Sequence, residues 1–325
     1  MTVGLTYDLR SEWLKEGYSE LETAEFDREE TVAAVESALR KEGLHTERIG
    51  NYRGLIAALS AGKRWDLVFN FCEGMYGLGR EALVPALLDA YRIPYTFSDA
   101  VVLAVSLHKG LTKHVVRDAG VPTPDFAVVE SAADIDHVNL RYPLFAKPIA
   151  EGTGKGITSE SRIGSVEELR RICESLLDAY HQPVLVEEYL PGREFTSAVI
   201  GTGAEARVVG TMEIIPLSTA DANAYTYMNK EYCDGRVRYE LARGPEAEAC
   251  ERLALNAWKA LGARDAGRVD IRMDAGGNPS FIEANPLAGL HPVHSDLPII
   301  CTMVGITFQD LIGAIVVSAR KRAGL

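Results

Sequence analysis

Residues Phe145–Ile157 read "FAKPIAEGTGKGI", and this stretch decides the fold. The run "GTGKG" invites comparison with the phosphate-binding P-loop, which needs G-x-x-x-x-G-K-[ST] between a strand and a helix. Here Gly156 stands where the motif requires Ser or Thr, and Ile149 stands where it requires the first Gly. The stretch instead predicts a strand ending at Lys147, a glycine-rich turn and a second strand. Such a hairpin either covers a triphosphate with its backbone N–H groups or is a flexible surface hairpin.

Composition and charge narrow the class of protein. The chain has 325 residues, 47% of them hydrophobic and 25% charged, which is typical of a globular protein with two or three domains. A net charge of −12 argues against a nonspecific surface for nucleic acid or anionic membrane. The scattered cysteines form no CxxC pair, which favours a reducing compartment. We expect a cytoplasmic protein that binds small molecules, with no membrane helix and no basic leader at its start.

The order of predicted strands and helices indicates an α/β protein with three domains. Residues 1–105 alternate strand and helix, which predicts a parallel sheet covered by helices. Residues 106–192 form a smaller block of helices and several strands. Residues 193–325 begin with strands and end with a helix, so the later domains have α+β character.

Two short stretches near the C-terminus predict a metal site. "GRVDIRMD" and "FIEANP" read as strands joined by the turn "DAGGN". Glu283 and Asn285 are two residues apart and therefore share a face, on which Asp270 of the other strand is also expected. Three oxygen ligands suit Mg²⁺, while polar alternation on a half-exposed strand is the alternative. Arg268 on the same face and the backbone N–H of Gly289 are positioned to stabilise an oxyanion.

These motifs, in this order, resemble the ATP-grasp superfamily and, within it, the D-alanine–D-alanine ligases. The resemblance runs from about residue 66 to residue 311. It rests on "HKGLTKHVVRDAGVPTP", "FAKPIAEGTGKGI", "VLVEEYLPGREFT", "MEIIP", "YTYMNK", "GRVDIRMD" and "FIEANPLAG".

The resemblance implies an N-terminal parallel-sheet domain followed by two nucleotide-gripping domains, each built on an antiparallel sheet, with ATP between them. In such enzymes ATP phosphorylates a carboxylate, with two Mg²⁺ ions (or Mn²⁺) neutralising the phosphate charge. An amine then displaces phosphate from the acylphosphate to give an amide. The resemblance also favours a homodimer and a role in peptidoglycan synthesis.

The resemblance further implies a role for each matching residue. The nucleotide-binding positions are Lys109, Lys147, Thr153, Gly154, Glu187, Glu188, Tyr189, Leu190, Glu194 and Ile282. The magnesium ligands are Asp270, Glu283 and Asn285. The groups that act on the reacting centre are Arg268, Gly289 and the γ-phosphate lysine Lys230. Ser295 falls near the family's binder of the acceptor carboxylate.

The sequence departs from the family pattern where amino acids bind. The family's N-terminal glycine-rich turn, with its ammonium-binding glutamate, is replaced by the longer acidic segment Tyr7–Asp27. Glu73 replaces a histidine, and the acceptor loop "GLHPVHSD" is one residue longer than expected. Glu73 and the acidic segment suit a substrate with a cationic group, or else form an exposed acidic surface. Lys155 is expected to be solvent-exposed and dispensable, and Glu151 has no assigned role.

Three functions therefore stay open. The first is a D-alanine–D-alanine ligase. The second is a ligase of the same mechanism for other amino acids or amino-acid-like substrates. The third, a non-catalytic nucleotide-binding protein, is disfavoured because the predicted magnesium ligands are all present.

Overall fold

Three β-sheets flanked by helices form the molecule. The computed structural model describes residues 1–217 and 236–325. A parallel sheet near the N-terminus is followed by two antiparallel sheets. This arrangement confirms the predicted α/β class with α+β character in the later domains. Lys230 and the "YTYMNK" motif lie outside the described residues.

The secondary structure begins with a strand at the N-terminus and ends with a long helix. The strands are β1 Thr2–Tyr7, β2 His45–Gly50, β3 Leu67–Phe71, β4 Phe126–Val129, β5 Leu144–Pro148, β6 Arg162–Ile163, β7 Val184–Glu188, β8 Glu194–Ile200, β9 Arg207–Pro216, β10 Val237–Leu241, β11 Ala266–Met273 and β12 Pro279–Asn285. The helices are α1 Arg10–Lys15, α2 Glu29–Lys41, α3 Tyr52–Ser60, α4 Leu83–Ala90, α5 Ala100–Leu107, α6 Lys109–Asp118, α7 Val166–Tyr180, α8 Pro245–Leu261, α9 Asp296–Met303 and α10 Phe308–Ala323.

The N-terminal sheet has the strand order β2-β1-β3, and both outer strands run parallel to β1. Every residue of β3 is buried, which explains its unbroken apolar character between two covered faces. Because β1 and β3 are parallel, they end at the same edge of the sheet. Asp8 and Glu73 follow these strands, so both lie at the edge where α/β sheets bind ligands.

The two antiparallel sheets have the strand orders β4-β7-β5-β6 and β10-β9-β8-β11-β12. The predicted hairpin after Lys147 is wrong in one respect: Gly156 and Ile157 form no strand. β5 pairs with β7 on one side and with the short β6 on the other, where Leu144 lies opposite Ile163. Residues 149–158 instead form a loop, because Thr153 has a φ of 50° and the glycines at 154 and 156 have φ of 74° and 77°.

The two ends of the chain share one hydrophobic core. Val35 and Leu39 of α2 pack in the same cluster as Leu311 and Ile315 of α10. The cluster also includes residues from β1, β3 and β8. The last helix therefore packs against α2 of the N-terminal domain, while the domain boundaries near residues 105 and 192 stay a prediction.

The C-terminal helices are apolar because they face this core. Leu297 and Ile300 of α9 are fully buried. No single helix in the described ranges is long and apolar enough to cross a membrane. Together α9 and α10 have the length and composition, but they are bent by 111° at their junction.

A buried carboxylate joins the N-terminal sheet to the last helix. Asp265 is fully buried and accepts hydrogen bonds from the backbone N–H of Phe97 at 2.7 Å and from Ser318 Oγ at 2.7 Å. It also forms an ion pair with Arg322 at 2.8 Å. The carboxylate thus links residues that are far apart in the chain.

We expect Asp265→Asn to lower the free energy of unfolding by about 3 kcal/mol, because the amide NH₂ group would face hydrogen-bond donors and leave Arg322 unpaired. Asparagine tolerates the φ of 63° at this position, so backbone strain does not contribute. Urea denaturation followed by tryptophan fluorescence measures the change. Arg320→Gln, at an exposed position of α10, is the control and should leave the denaturation midpoint unchanged. An unchanged midpoint for Asp265→Asn would contradict the prediction.

Candidate active site

A narrow pocket of about 70 Å³ lies between the two antiparallel sheets. Phe145 and residues 187–190 of the four-stranded sheet form one wall, and Arg272 and Ile282 of the five-stranded sheet form the other. The lining is mainly apolar, as a flat heterocycle requires. Seven of the expected nucleotide-binding residues line it: Lys147, Glu187, Glu188, Tyr189, Leu190, Glu194 and Ile282.

Glu187 lies in this pocket between two buried lysines. Its carboxylate is 2.9 Å from Lys147 Nζ and 2.8 Å from Lys113 Nζ. Burial alone would raise the pKa of Glu187, but the charges of Lys113 and Lys147 outweigh burial and lower it to about 2. The carboxylate is therefore ionised and fixed in position.

Lys113 is a residue that sequence reasoning missed. It is fully buried, and burial lowers its pKa to about 8 although Glu187 opposes the shift. Its Nζ donates to Thr123 Oγ1 at 2.8 Å, and Thr123 donates to the carbonyl of Phe281 at 2.8 Å. Phe281 belongs to β12, so this chain of contacts ties Glu187 to the strand with the predicted metal ligands. Lys113 follows Lys109 by four residues, about one helical turn, and this spacing was the signal in the sequence that could have identified Lys113.

The predicted metal ligands share one face of the β11–β12 pair. Asp270 lies opposite Glu283, and Arg268 lies opposite Asn285. Asp270 accepts hydrogen bonds from Thr196 Oγ1 at 2.7 Å and Arg268 Nη1 at 2.6 Å. Asp270 is only 9% exposed, whereas Glu283 and Asn285 are half-buried, so polar alternation on a half-exposed strand does not account for Asp270.

These oxygens fit a hard cation. Glu283 is 3.5 Å from Lys109 Nζ, and Asn285 Nδ2 is 3.3 Å from Asp270 Oδ2. Two carboxylates and one amide oxygen on the same face are a donor set that suits Mg²⁺, which also retains water. In the part of the chain that the structure describes, no group of three His, Cys, Asp or Glu side chains is arranged around a metal position. The predicted set has only two carboxylates.

Arg268 and Gly289 lie together, as predicted for groups at the reacting centre. Arg268 pairs with Asp270, and its guanidinium is also 3.5 Å from Asp296. A Cβ at Gly289 would come within 2.8 Å of Ser295 Oγ, so glycine permits this close approach. Ser295 Oγ in turn accepts from the backbone N–H of His291 at 3.0 Å. The longer acceptor loop is thereby folded back on itself.

Two joined chambers meet at Arg268 and Gly289. The inner chamber, about 110 Å³, is lined by Glu73, Lys109 and the metal-binding face. The outer chamber, about 280 Å³, contains Ser295. Thr153 lines both chambers, and Gly154 follows it in the loop. These two expected phosphate-binding residues, which do not line the narrow pocket, therefore adjoin the chambers.

Burial raises the pKa of Glu73, and the negative charges of Glu81, Glu25 and Asp27 raise it further.

Lys155 is not solvent-exposed, so that prediction is wrong. It is 8% exposed and pairs with Glu151 at 2.5 Å and with Glu25 at 3.4 Å. Four residues separate Lys155 from Glu151, and the left-handed turn between them brings the two side chains together. Glu151 also accepts from Gln182 Nε2 at 2.7 Å. The pair fixes the shape of the glycine loop.

Glu25 brings the acidic N-terminal segment onto this loop. It accepts from the backbone N–H of Gly152 at 2.5 Å and pairs with Arg80 at 2.8 Å. Arg80 also donates to the carbonyl of Ala150 at 2.8 Å. Burial opposes ionisation, but Arg80 and Lys155 lower the pKa of Glu25 to about 2. Nothing local in the sequence signals this contact, because the two segments are 127 residues apart.

Two antiparallel sheets that face each other across a narrow, mainly apolar pocket, beside a face that carries two carboxylates and an amide, are typical of one class of enzymes. The fold and the site assign the chain to the ATP-grasp ligases.

Comparison with known proteins gives the family within this class. The D-ala D-ala ligase C-terminus family model matches residues 115–317. D-alanine–D-alanine ligase B of Chromobacterium violaceum is 34% identical over 283 residues, which are 86% of this chain and 88% of that protein. D-alanine–D-alanine ligase of Bordetella avium is 31% identical over 291 residues, 88% of each. The chain belongs to the D-alanine–D-alanine ligase family and is an ATP-dependent ligase that forms an amide bond.

Solved structures support the same fold. D-alanine–D-alanine ligase from Bacillus anthracis complexed with ATP superposes with a TM-score of 0.74 and 20% identity, over 100% of this chain and 99% of that chain. The VanG D-Ala:D-Ser ligase from Enterococcus faecalis gives a TM-score of 0.75 and 20% identity, over 98% and 99%.

We expect Lys155→Met to lower the free energy of unfolding by about 2 kcal/mol, less than the loss of a complete buried ion pair. Glu25 keeps Arg80 and Glu151 keeps Gln182, which limits the cost. The KM for ATP should rise several-fold, because the glycine loop loses its internal support. Thermal denaturation and ATP titration measure both effects, with Lys41→Met at an exposed position as the control. Wild-type values for Lys155→Met in both assays would show that the lysine is dispensable after all.

Acid should destabilise the protein through Glu187. Its folded pKa of about 2 lies below the ordinary value of 4.5, so its stabilising contribution is complete above pH 4.5 and is lost as pH falls toward 2. The contribution amounts to about 3 kcal/mol. Glu187→Gln should be less stable at neutral pH, yet its stability should fall less steeply between pH 4.5 and 2. Urea midpoints across this range test the difference, and parallel curves for the variant and wild type would refute it. Glu130→Gln, at an exposed position, should follow the wild-type curve.

Proposed function

We propose that the enzyme joins two amino acids through an acylphosphate, with ATP as the phosphoryl donor and two Mg²⁺ ions held by Asp270, Glu283 and Asn285. The observation that supports this most strongly is the shared face of β11 and β12: Arg268, Glu283 and Asn285 line the inner chamber, and Asp270 lies opposite Glu283 and pairs with Arg268. Mg²⁺ would neutralise the charge of the transferring phosphoryl group.

The side chains around the nucleotide act by binding and orienting it. Lys147 and Lys109 supply positive charge to the phosphates. The apolar walls at Leu190 and Ile282 take the adenine ring, while Glu194 at the start of β8 accepts hydrogen bonds from ribose. Lys230 is proposed as a γ-phosphate ligand on sequence grounds alone.

The reacting carboxylate lies where the two chambers meet. Arg268 and the backbone N–H of Gly289 stabilise the oxyanion formed when the amine attacks the acyl carbon. Ser295, next to Gly289, holds the carboxylate of the acceptor in the outer chamber.

Two kinds of amino acid are candidate substrates. D-alanine is the substrate named for the relatives, and it is the reference substrate here. The charged lining of the inner chamber, including Glu73, favours amino acids with a polar side chain. We further propose a cytoplasmic homodimer, on the composition and the family resemblance, and a role in peptidoglycan synthesis if D-alanine is used.

Changing Glu283→Gln should lower kcat by at least roughly 100-fold, because an amide is a weaker Mg²⁺ ligand than a carboxylate. The concentration of Mg²⁺ needed for half-maximal activity should rise as well. ADP release at varied Mg²⁺ measures both effects, and thermal denaturation checks that the fold is retained. Glu240→Gln, an exposed position on β10, should behave as wild type. Full activity of Glu283→Gln at low Mg²⁺ would remove Glu283 from the site.

A further inference from the structure

Two carboxylates in the inner chamber have no cationic partner. Glu73 follows β3, and Glu81 lies in the short 3₁₀ turn at residues 80–82. Within residues 1–217 and 236–325, neither side chain accepts a hydrogen bond or forms an ion pair, and both are half-buried. A ligand that filled the chamber would remove these carboxylates from water, which is costly unless the ligand carries a partner of opposite charge.

A buried hydroxyl in the same chamber also has no partner. Ser106 of α5 is 4% exposed, and its Oγ makes no hydrogen bond to any described residue. It lines the chamber together with Glu73 and Glu81. Most buried polar side-chain atoms in proteins are hydrogen-bonded, so this hydroxyl independently indicates a polar ligand group on this side of the chamber.

The other charged side chains of the chamber already neutralise one another. Glu25 pairs with Arg80, and Glu151 pairs with Lys155. At the far side Lys109 lies beside Glu283, next to the metal-binding face. The unmatched charge is therefore confined to Glu73 and Glu81, a total of two negative charges when both are ionised.

We propose that the amino acid activated in the inner chamber carries a second cationic group on a short side chain, and that Glu73, Glu81 and Ser106 bind its two ammonium groups. This inference rests on the proposed ligase function. Alanine supplies one ammonium group and a methyl group, which would leave one carboxylate without a counter-charge. A diamino acid supplies one positive charge for each carboxylate and N–H donors for Ser106.

The small volume of the chamber, about 110 Å³, favours a short side chain. We therefore consider side chains of two or three heavy atoms beyond Cα. The matching substrates are 2,3-diaminopropionate and 2,4-diaminobutyrate, whose neutral isosteres are 2-aminobutyrate and norvaline.

The experiment compares each diamino acid with its isostere, in both D and L forms. ADP release is measured for the wild type with D-alanine as reference, and we expect kcat/KM for the diamino acid to exceed that for its isostere at least tenfold. Charge-assisted hydrogen bonds in a dry site have this effect. In Glu81→Gln and Glu73→Gln the ratio should fall roughly tenfold. Ser106→Ala should lower it less, and Glu130→Gln, which lines neither chamber, should retain it.

The outcomes separate the two proposals. Turnover with D-alanine that matches the diamino acids, and that Glu81→Gln leaves unchanged, overturns this inference and leaves the ligase function intact. No ADP release with any amino acid counts against the ligase function. Calorimetric binding of 2,3-diaminopropionate and 2-aminobutyrate, in the presence of a non-hydrolysable ATP analogue, then decides the present inference: equal affinities refute it. Thermal denaturation of each variant excludes unfolding as the cause, and the second glutamate variant serves if one fails to fold.

Discussion

The carboxylate of Glu187, held between Lys113 and Lys147, is the interaction on which the rest of the site depends. Lys147 lies in β5 of the four-stranded sheet, whereas Lys113 reaches β12 of the five-stranded sheet through Thr123. A buried carboxylate is unfavourable unless it is paired, and here each lysine forms an ion pair with Glu187. The nucleotide pocket and the metal-binding strand are thereby fixed relative to each other. A purely apolar contact would pack the two sheets as tightly but would not specify their register so narrowly.

A second ionic cluster performs the same task for the glycine loop. Glu25, Arg80, Glu151 and Lys155 come from three separate parts of the chain and meet around the backbone of Gly152. A loop with several residues of positive φ has little structure of its own, since glycine makes many conformations accessible. Contacts from outside the loop must therefore select one of them. The acidic N-terminal segment supplies that contact, which explains why its sequence differs from the family's without leaving the loop unsupported.

The sequence predicted those parts of the molecule that follow from local periodicity. The face shared by Asp270, Glu283 and Asn285 follows from the two-residue repeat of a strand, and the structure has it. The sequence did not predict several elements, because their apolar pattern is short or their stabilising contacts are distant. They are the strand β2, the helices α1, α3, α5 and α9, and the edge strand β10. Lys155 was misjudged for the same reason: its partners include Glu25, which no local pattern connects to it. Glu81 and Ser106 carry no motif, and only the folded chain brings them beside Glu73.

The face that we propose to bind Mg²⁺ is balanced in charge. Asp270 and Glu283 carry two negative charges, and Arg268 and Lys109 carry two positive ones within 3.5 Å of them. The four side chains are therefore neutral as a group, and so is the combination of two Mg²⁺ ions with a fully ionised ATP. Binding such a combination adds no net charge to a buried site, which avoids the large desolvation cost of an unbalanced ion. In the proposed mechanism Arg268 and Lys109 stay near the carboxylate that is activated, where negative charge develops on the acyl oxygen. Glu73 and Glu81 form no ion pair with any described residue, so the proposed demand for positive charge falls on the amino acid rather than on the nucleotide.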